Sequence, residues 1–223
     1  MQGKRIDREE LKPGDHIYSW REAHIYAHHG IYVGEGMVIN FTTGGQESGP
    51  GTFWDRFFRG SSSTRSAANP CPKCGGQSRL RGVISSCLDC FLMGGDLYRF
   101  EYGVSAAFFM AARPGTCTLA SSDPPEDVLH RARYLLQNGF GVYNVFKNNC
   151  EDFAIYCKTC LVVSKNIGVG RSGQASSYLL AATFAAGGIF GYGMYCVSRL
   201  ASDIGVRRDV VKVPVESLAS HQG

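Results

Sequence analysis

The stretch that decides the fold is a β-hairpin signal that reads His28-His29-Gly30-Ile31-Tyr32-Val33-Gly34-Glu35-Gly36-Met37-Val38-Ile39-Asn40. Its two arms, residues 28–33 and 37–42, are rich in β-branched and aromatic residues, which favour strands. Gly34-Glu35-Gly36 separates the arms and is a strong turn signal. The stretch therefore predicts two neighbouring antiparallel strands, with two histidines on the first and an asparagine on the second.

The register of this hairpin decides which histidine faces Asn40, and the residues alone leave two alternatives. A three-residue loop, Gly34-Glu35-Gly36, would be a type I turn followed by a left-handed glycine; paired residue numbers then sum to 70, and His28 shares a face with Asn40. A two-residue loop, Glu35-Gly36, places His29 on that face instead, because a slip by one residue reverses every side chain. A further interpretation is that both are half-exposed structural histidines.

Downstream of the hairpin, the sharpest motif is Asn148-Asn149-Cys150-Glu151-Asp152-Phe153-Ala154. It predicts a helix whose amide cap is followed by a cysteine in the first turn. A helix N-terminus stabilises a thiolate and lowers the pKa of the thiol, and its N–H groups can receive an oxyanion. A buried structural cysteine is the alternative interpretation. A thiol nucleophile also needs a base, for which the hairpin histidines are candidates.

Two Cys-x2-Cys pairs stand between these motifs. They are Cys71-Pro72-Lys73-Cys74 and Cys87-Leu88-Asp89-Cys90, with twelve residues between the pairs. Four thiolates in this spacing predict a closed tetrahedral zinc site, structural because it leaves no open position. Disulfide formation is the alternative, and it suits an oxidising compartment better.

Composition narrows the class of protein. The 223 residues are 44% hydrophobic and 19% charged, which excludes a disordered chain. The net charge of +4 comes without a long basic run, so we expect no nucleic acid partner, whereas an anionic membrane surface is compatible with this charge. Residues 1–10 are polar and show no secretory signal, so nine cysteines point to an intracellular, cytoplasmic or membrane-associated protein. Nothing indicates an organic cofactor.

The C-terminal part is apolar. Residues 172–198 contain no charged side chain over 27 positions, which is long enough to span a bilayer. A glycine- and alanine-rich helical hairpin packed on the domain is the equal alternative. We therefore predict a main domain over 11–165 with an insertion at 61–95, an apolar membrane-associating or packed helical segment at 172–200, and a tail at 201–223.

One amphipathic helix is also clear from its pattern. Residues 124–138 place apolar side chains on one stripe. Asp123 is the predicted N-cap and Gly139 the predicted stop.

The motifs together resemble a known family. The His28 to Asn40 stretch resembles the histidine box of lecithin:retinol acyltransferase-like (LRAT-like) domains, and Asn149-Cys150-Glu151 resembles their Asn-Cys-Glu box. Gly14-Asp15-His16-Ile17 resembles their leading strand, so the likeness covers roughly residues 11–165. The chain looks like a plant member, an NC-domain protein. The resemblance implies an α+β fold, a circularly permuted papain-like (NlpC-type) antiparallel sheet with helices, here with a zinc-knuckle insertion and an apolar tail.

The resemblance also implies roles for three residues. In the family the catalytic histidine stands four positions before the Tyr-Val-Gly triplet, which is His28, and the cysteine of the second box, Cys150, is the nucleophile. Asn40 stands where many members have a second histidine, and asparagine orients the histidine in papain-like sites. The position two after the cysteine, often histidine in the family, is Asp152.

The implied chemistry is transfer of an acyl chain from a glycerophospholipid ester through a thioester. Water as the acceptor gives a phospholipase, and an amine or alcohol gives an acyltransferase. The sequence leaves two alternatives open. One is a catalytically weak or inactive lipid-binding or interaction module at a membrane, and the other is a cysteine peptidase or amidase on the same fold.

Overall fold

The computed structural model describes residues 3–21, 26–43, 71–75, 80–144, 148–164 and 193–221. Its strands are β1 (Lys4–Arg5), β2 (His16–Arg21), β3 (Tyr26–Gly34), β4 (Met37–Thr42), β5 (Gly82–Cys87), β6 (Tyr98–Arg99), β7 (Leu161–Val163) and β8 (Val210–Lys212). The main sheet has the order β1-β6-β2-β3-β4-β5 with antiparallel neighbours, and β7 and β8 form a separate antiparallel pair.

In the described part of the chain, the strands are accompanied by the helices α1 (Leu88–Leu92), α2 (Ala106–Ala111), α3 (Pro125–Asn138) and α4 (Cys150–Thr159). Short 3-10 helices occupy Arg8–Glu10 and Val215–His221, and residues 193–202 are also helical. The predicted α+β class with an antiparallel sheet is therefore confirmed. The circular permutation and the apolar tail stay predictions.

The two faces of the sheet carry different helices because side chains alternate along each strand. Ile39 and Phe41 of β4 belong to the main core, where α3 and α4 pack. Val38, which precedes Ile39 and therefore points to the other face, belongs to a second cluster that contains Phe91 and Leu92 of α1. The short helix α1 thus lies on the face opposite α4.

The register of the β3–β4 hairpin follows the first of the two predicted alternatives. Gly30 pairs with Asn40, Ile31 with Ile39 and Tyr32 with Val38, so paired numbers sum to 70. His28 consequently shares a face with Asn40, and the alternative that placed His29 there is wrong.

The turn that closes the hairpin differs from the prediction. Glu35 and Gly36 have φ values of 53° and 69°, and Gly34 pairs with Met37, so the loop has two residues with left-handed backbone. The predicted three-residue loop with a type I turn is wrong. An irregularity between Tyr32 and Gly34 inserts one extra residue into β3. This bulge shifts the register by one position, so the two-residue loop still brings His28 to the face of Asn40.

Helix α3 confirms the predicted amphipathic helix, but the prediction that Asp123 is its N-cap residue is wrong. Pro124 occupies the N-cap position and makes no side-chain cap bond. The carboxylate of Asp123 instead accepts hydrogen bonds from Arg131 at 2.9 Å and from Lys212 at 2.8 Å. Two cations therefore hold the group that the sequence assigned to capping.

Strand β5 returns the chain to the hairpin after the insertion. It pairs with β4 from Thr42–Gly82 to Met37–Cys87, which places the second cysteine pair beside the hairpin. Residues 61–70 and 76–79 of the predicted insertion lie outside the described residues.

Most of the predicted apolar segment, residues 172–192, also lies outside the described part of the chain. Within the described part, no helix combines the length and the apolar character needed to cross a bilayer.

Candidate active site and cysteine cluster

Cys150 is buried as the first residue of α4, directly after the predicted cap. The side-chain oxygen of Asn149 accepts hydrogen bonds from the N–H groups of Glu151 at 2.8 Å and Asp152 at 3.1 Å. The carboxylate of Asp152 accepts from the N–H of Asn149 at 3.0 Å, which completes a capping box. Asp152 therefore has a structural partner. The N–H groups of Glu151 and Asp152 already donate to the side chain of Asn149. Fewer backbone N–H groups of this first turn are therefore left to bind an oxyanion than the sequence predicted.

The thiol of Cys150 lies against the strand that carries the candidate base. Its Sγ is 3.8 Å from the carbonyl oxygen of Ala27, the residue directly before His28. Among the described residues, β3 pairs with β4 only from Gly30–Asn40 onward. Ala27 itself pairs with Trp20 of β2, so the thiol contacts β3 within the sheet, one residue before His28.

The imidazole of His28 is held by an amide. Its Nε2 lies 3.1 Å from Oδ1 of Asn40, and Nδ2 of Asn40 donates to Oγ of Ser86 at 3.1 Å. An amide oxygen only accepts, so this contact requires the proton of the neutral imidazole on Nε2. Nδ1 of His28 is then the nitrogen that keeps a lone pair, as a general base requires.

The electrostatics keep His28 neutral. Burial penalises the imidazolium, the charge of Arg21 acts in the same direction, and together they lower the pKa of His28 to about 4 despite the bond from Asn40. An unprotonated imidazole at neutral pH can accept a thiol proton.

Arg21 is a site residue that sequence reasoning missed. It is only 8% exposed, and its guanidinium donates to the carbonyl oxygens of Phe91 and, at 3.0 Å, Leu92. Burial lowers the pKa of Arg21, and the charges of Tyr26 and Cys150 partly restore it, so the guanidinium lies within electrostatic reach of Cys150 as well as of His28. The sequence signal that could have indicated it is its position at the end of the alternating strand pattern of β2.

Tyr143 is a second missed residue. Its hydroxyl lies 4.0 Å from Sγ of Cys150, and its ring packs on Phe41 at 5.0 Å between centroids. Burial raises the pKa of Tyr143 well above its usual value, as does the neighbouring Cys150. The hydroxyl therefore keeps its proton and can donate it in a hydrogen bond.

His29, by contrast, belongs to a buried structural network on the opposite face. Its Nδ1 is 2.9 Å from Nε2 of His16, whose Nδ1 is 2.7 Å from the hydroxyl of Tyr102. His29 is fully buried and stacks on Tyr18. The sequence offered no sign of this network because its members lie on different strands and in a loop.

The four predicted metal ligands meet. The Sγ atoms of Cys71, Cys74, Cys87 and Cys90 all lie within 4.8 Å of one another, with 3.8 Å between Cys71 and Cys87 and 3.6 Å between Cys74 and Cys90. Tetrahedral zinc with Zn–S bonds near 2.3 Å separates its sulfurs by about 3.8 Å, whereas a disulfide requires about 2.05 Å. The backbone N–H groups of Lys73 and Cys74 lower the pKa of Cys71 to about 6, which favours a ligand thiolate. The cluster therefore fits a tetrahedral metal ion.

Comparison with known proteins identifies the family of the chain. The chain belongs to the lecithin retinol acyltransferase family, whose sequence profile it matches over residues 9–163. The predicted resemblance is thereby confirmed. A similar plant protein is "Protein LEAD-SENSITIVE 1" of Arabidopsis thaliana, which is 56% identical over 229 aligned residues, covering 96% of this chain and 88% of that protein.

Proposed function

We propose that the protein is a cysteine-dependent acyltransferase or phospholipase acting on ester-linked acyl chains of glycerophospholipids. Family membership supports acyltransferase- or phospholipase-type chemistry at the level of the domain. One observation carries the assignment to residues. The thiol of Cys150 contacts β3 at the carbonyl oxygen of Ala27, one residue before His28. The His28 ring turns toward the face that carries α1, where Asn40 holds its Nε2 and Nδ1 keeps the lone pair that a base needs.

The proposed reaction proceeds in two stages. His28 accepts the thiol proton, and the thiolate of Cys150 attacks the ester carbonyl. The tetrahedral intermediate collapses, the ester C–O bond breaks, and the lysophospholipid alkoxide takes the proton from His28 as the thioester forms. His28 then removes a proton from water, an amine or an alcohol, which attacks the thioester and releases the thiol.

Two residues are positioned to assist the negative charge of these steps. The protonated hydroxyl of Tyr143 points at the sulfur from 4.0 Å and is a candidate donor to the oxyanion. The guanidinium of Arg21 is a buried positive charge within electrostatic reach of Cys150 and favours the thiolate.

A second candidate is a catalytically inactive lipid-binding or interaction module at a membrane. The departures that favour it are Asn40 and Asp152, where the family often has histidines. Two contacts weigh toward the enzyme instead: Asn40 bonds to His28, and the Asp152 carboxylate is engaged by the N–H of Asn149. Cysteine peptidase or amidase activity on the same fold is the third candidate.

A membrane surface is the proposed partner, together with the phospholipid itself. Phe108 of α2 and Met194 and Val197 of the helical residues 193–202 expose apolar side chains. Met194 and Val197 belong to the uncharged stretch 172–198, and Ala112 at the end of α2 accepts a hydrogen bond from Arg199 just after it at 2.7 Å. These exposed apolar side chains support contact with lipid rather than with nucleic acid.

Zinc is the proposed occupant of the cysteine cluster, with a structural role, since four thiolates leave no open coordination position. Elemental analysis of gently purified protein should return one zinc per chain. The Arabidopsis relative carries lead sensitivity in its name, so titration with lead against zinc belongs in the same experiment.

Incubation with labelled phosphatidylcholine, followed by intact mass measurement, tests the enzyme. We expect an acyl adduct on the wild type, its loss in Cys150→Ala, and its preservation in Cys117→Ala, a matched change of another buried cysteine. No adduct under conditions that label an active family member would leave the lipid-binding candidate. Turnover of a peptide or amide without the lipid adduct would favour the third.

A further inference from the structure

Helix α1 belongs both to the cysteine cluster and to the surroundings of the candidate base. Cys87 is its N-cap residue, and Cys90 lies within it. At five residues, α1 is too short to be stable by its own backbone bonds. Tertiary restraints must therefore fix its place on the sheet.

From α1, two contacts reach the active site. The ring of Phe91, the residue after Cys90, lies 5.2 Å from the ring of His28 between centroids. The carbonyl oxygens of Phe91 and Leu92 accept the hydrogen bonds of Arg21. Helix α1 thus contacts His28 directly, and its carbonyl oxygens orient the guanidinium of Arg21.

A third contact starts from β5. Ser86 directly precedes the ligand Cys87, and its Oγ accepts the hydrogen bond from the amide of Asn40. That bond fixes which end of the amide faces His28. His28 therefore contacts Phe91, the residue after the predicted ligand Cys90. Asn40 contacts Ser86, the residue before the predicted ligand Cys87.

The fit of Phe91 over β3 is close. A Cβ atom at Gly30 would come within 2.9 Å of Cε2 of Phe91 and 2.7 Å of Cγ1 of Val38, so only glycine fits beneath the ring. A shift of α1 would therefore move Phe91 against the backbone two residues from His28.

The other restraints on α1 are of unequal strength. Leu88, Phe91 and Leu92 are buried in the second apolar cluster, which holds α1 on the sheet. The ion pairs of Asp89 with Arg8 at 2.7 Å and with Lys73 at 3.1 Å are exposed and contribute little. A bound cation adds directional bonds at both Cys87 and Cys90, which apolar packing does not supply.

We propose that the cation of the four-cysteine cluster is a positioning element of the active site. It fixes α1 on β5, and through Phe91, Arg21 and Ser86 it sets the orientation of His28 and Asn40. The inference rests on the proposed function for its catalytic consequence. Without the cation, the His28 ring loses its fixed neighbour, so turnover falls while lipid binding changes little.

The test removes two ligands that lie outside α1. In the Cys71→Ala/Cys74→Ala double variant we expect loss of zinc, a kcat lower by about tenfold or more, and a KM close to that of the wild type, since a 1 Å misplacement costs on the order of 100-fold. The ring ¹⁵N signals of His28, assigned by comparison with His28→Ala, should shift or broaden. Lys73→Ala is the matched control, because it leaves every ligand in place and should keep zinc, kcat and these signals.

A second variant keeps the proposal testable if the double variant does not fold. Phe91→Leu keeps all four cysteines, and we expect it to retain zinc yet lower kcat and move the His28 signals in the same way. A folded, zinc-free double variant with wild-type kcat and His28 signals would overturn the proposal, as would an unaffected Phe91→Leu. If the zinc-loaded wild type forms no acyl adduct, the proposed function fails. The His28 signals then still show whether the cysteine cluster sets the position of His28.

Discussion

His28 and His29 are adjacent in the chain and have opposite surroundings. Strand alternation turns His28 toward Asn40 and His29 into the network with His16. The sequence could predict that one of the two faces Asn40. It could not choose between them without the family resemblance, because the choice depends on a bulge in β3 that leaves no clear mark in the residues.

The two histidines should therefore respond differently to the same change. In His28→Gln we expect no acyl adduct and a nearly unchanged melting temperature, because the change removes the base from a half-buried position. In His29→Gln we expect the adduct to remain and the protein to lose about 1–3 kcal/mol of stability, since a fully buried bond to His16 is disturbed. Adduct formation and urea unfolding measure the two effects. A folded His29→Gln without adduct would contradict this division.

Tyr143 gives a prediction about charge stabilisation. Tyr143→Phe keeps the ring on Phe41 and removes only the hydroxyl that faces Cys150. If that hydroxyl stabilises the oxyanion, thioester formation should slow by on the order of 10²-fold while the melting temperature stays the same. Stopped-time intact mass spectrometry measures the rate. A wild-type rate would assign the oxyanion to other donors.

At the scale of the elements, the capping box of α4 was predictable and its consequence was not. An asparagine before a cysteine in a first turn indicates a cap, and the structure has that cap. Only the three-dimensional geometry shows that the side-chain oxygen of Asn149 accepts from the N–H groups of both Glu151 and Asp152. Helix α1 was not predicted at all, because five residues carry no readable period.

The cap of α4 can be tested against a cap elsewhere. Asn149→Ala should cost about 1 kcal/mol of stability and also lower the rate of adduct formation, because the first turn carries Cys150. Ser105→Ala removes the N-cap bond of α2 to Phe108 and should cost a similar amount with no loss of rate. Urea unfolding and adduct kinetics on both variants separate stability from positioning. Equal rates in the two variants would mean that the cap serves folding alone.

For the whole molecule, buried histidines make stability depend on pH. Burial lowers the pKa of His16, His28 and His29, so the folded protein binds their protons only at lower pH than the unfolded chain does. Below the ordinary histidine pKa near 6.5 the unfolded chain binds more protons, and stability falls with falling pH until about pH 4 for His28.

Urea unfolding between pH 7 and pH 4.5 should therefore show a steadily falling free energy of unfolding. His29→Phe removes one of the three groups and should make the dependence less steep, whatever it does to stability at pH 7. A stability that stays flat or rises on acidification would show that these histidines are not held neutral in the folded protein.

The pairing of Thr42 with Gly82 has a consequence for how this family diverges in length. The chain leaves the sheet at the end of β4 and re-enters it directly alongside, at the start of β5. The entropy of closing such a loop grows only with the logarithm of its length. Residues can thus be gained or lost between these two points without displacing a strand. We expect relatives to vary in length mainly there, upstream of Cys71, while the spacing from Cys71 to Cys90 stays constant.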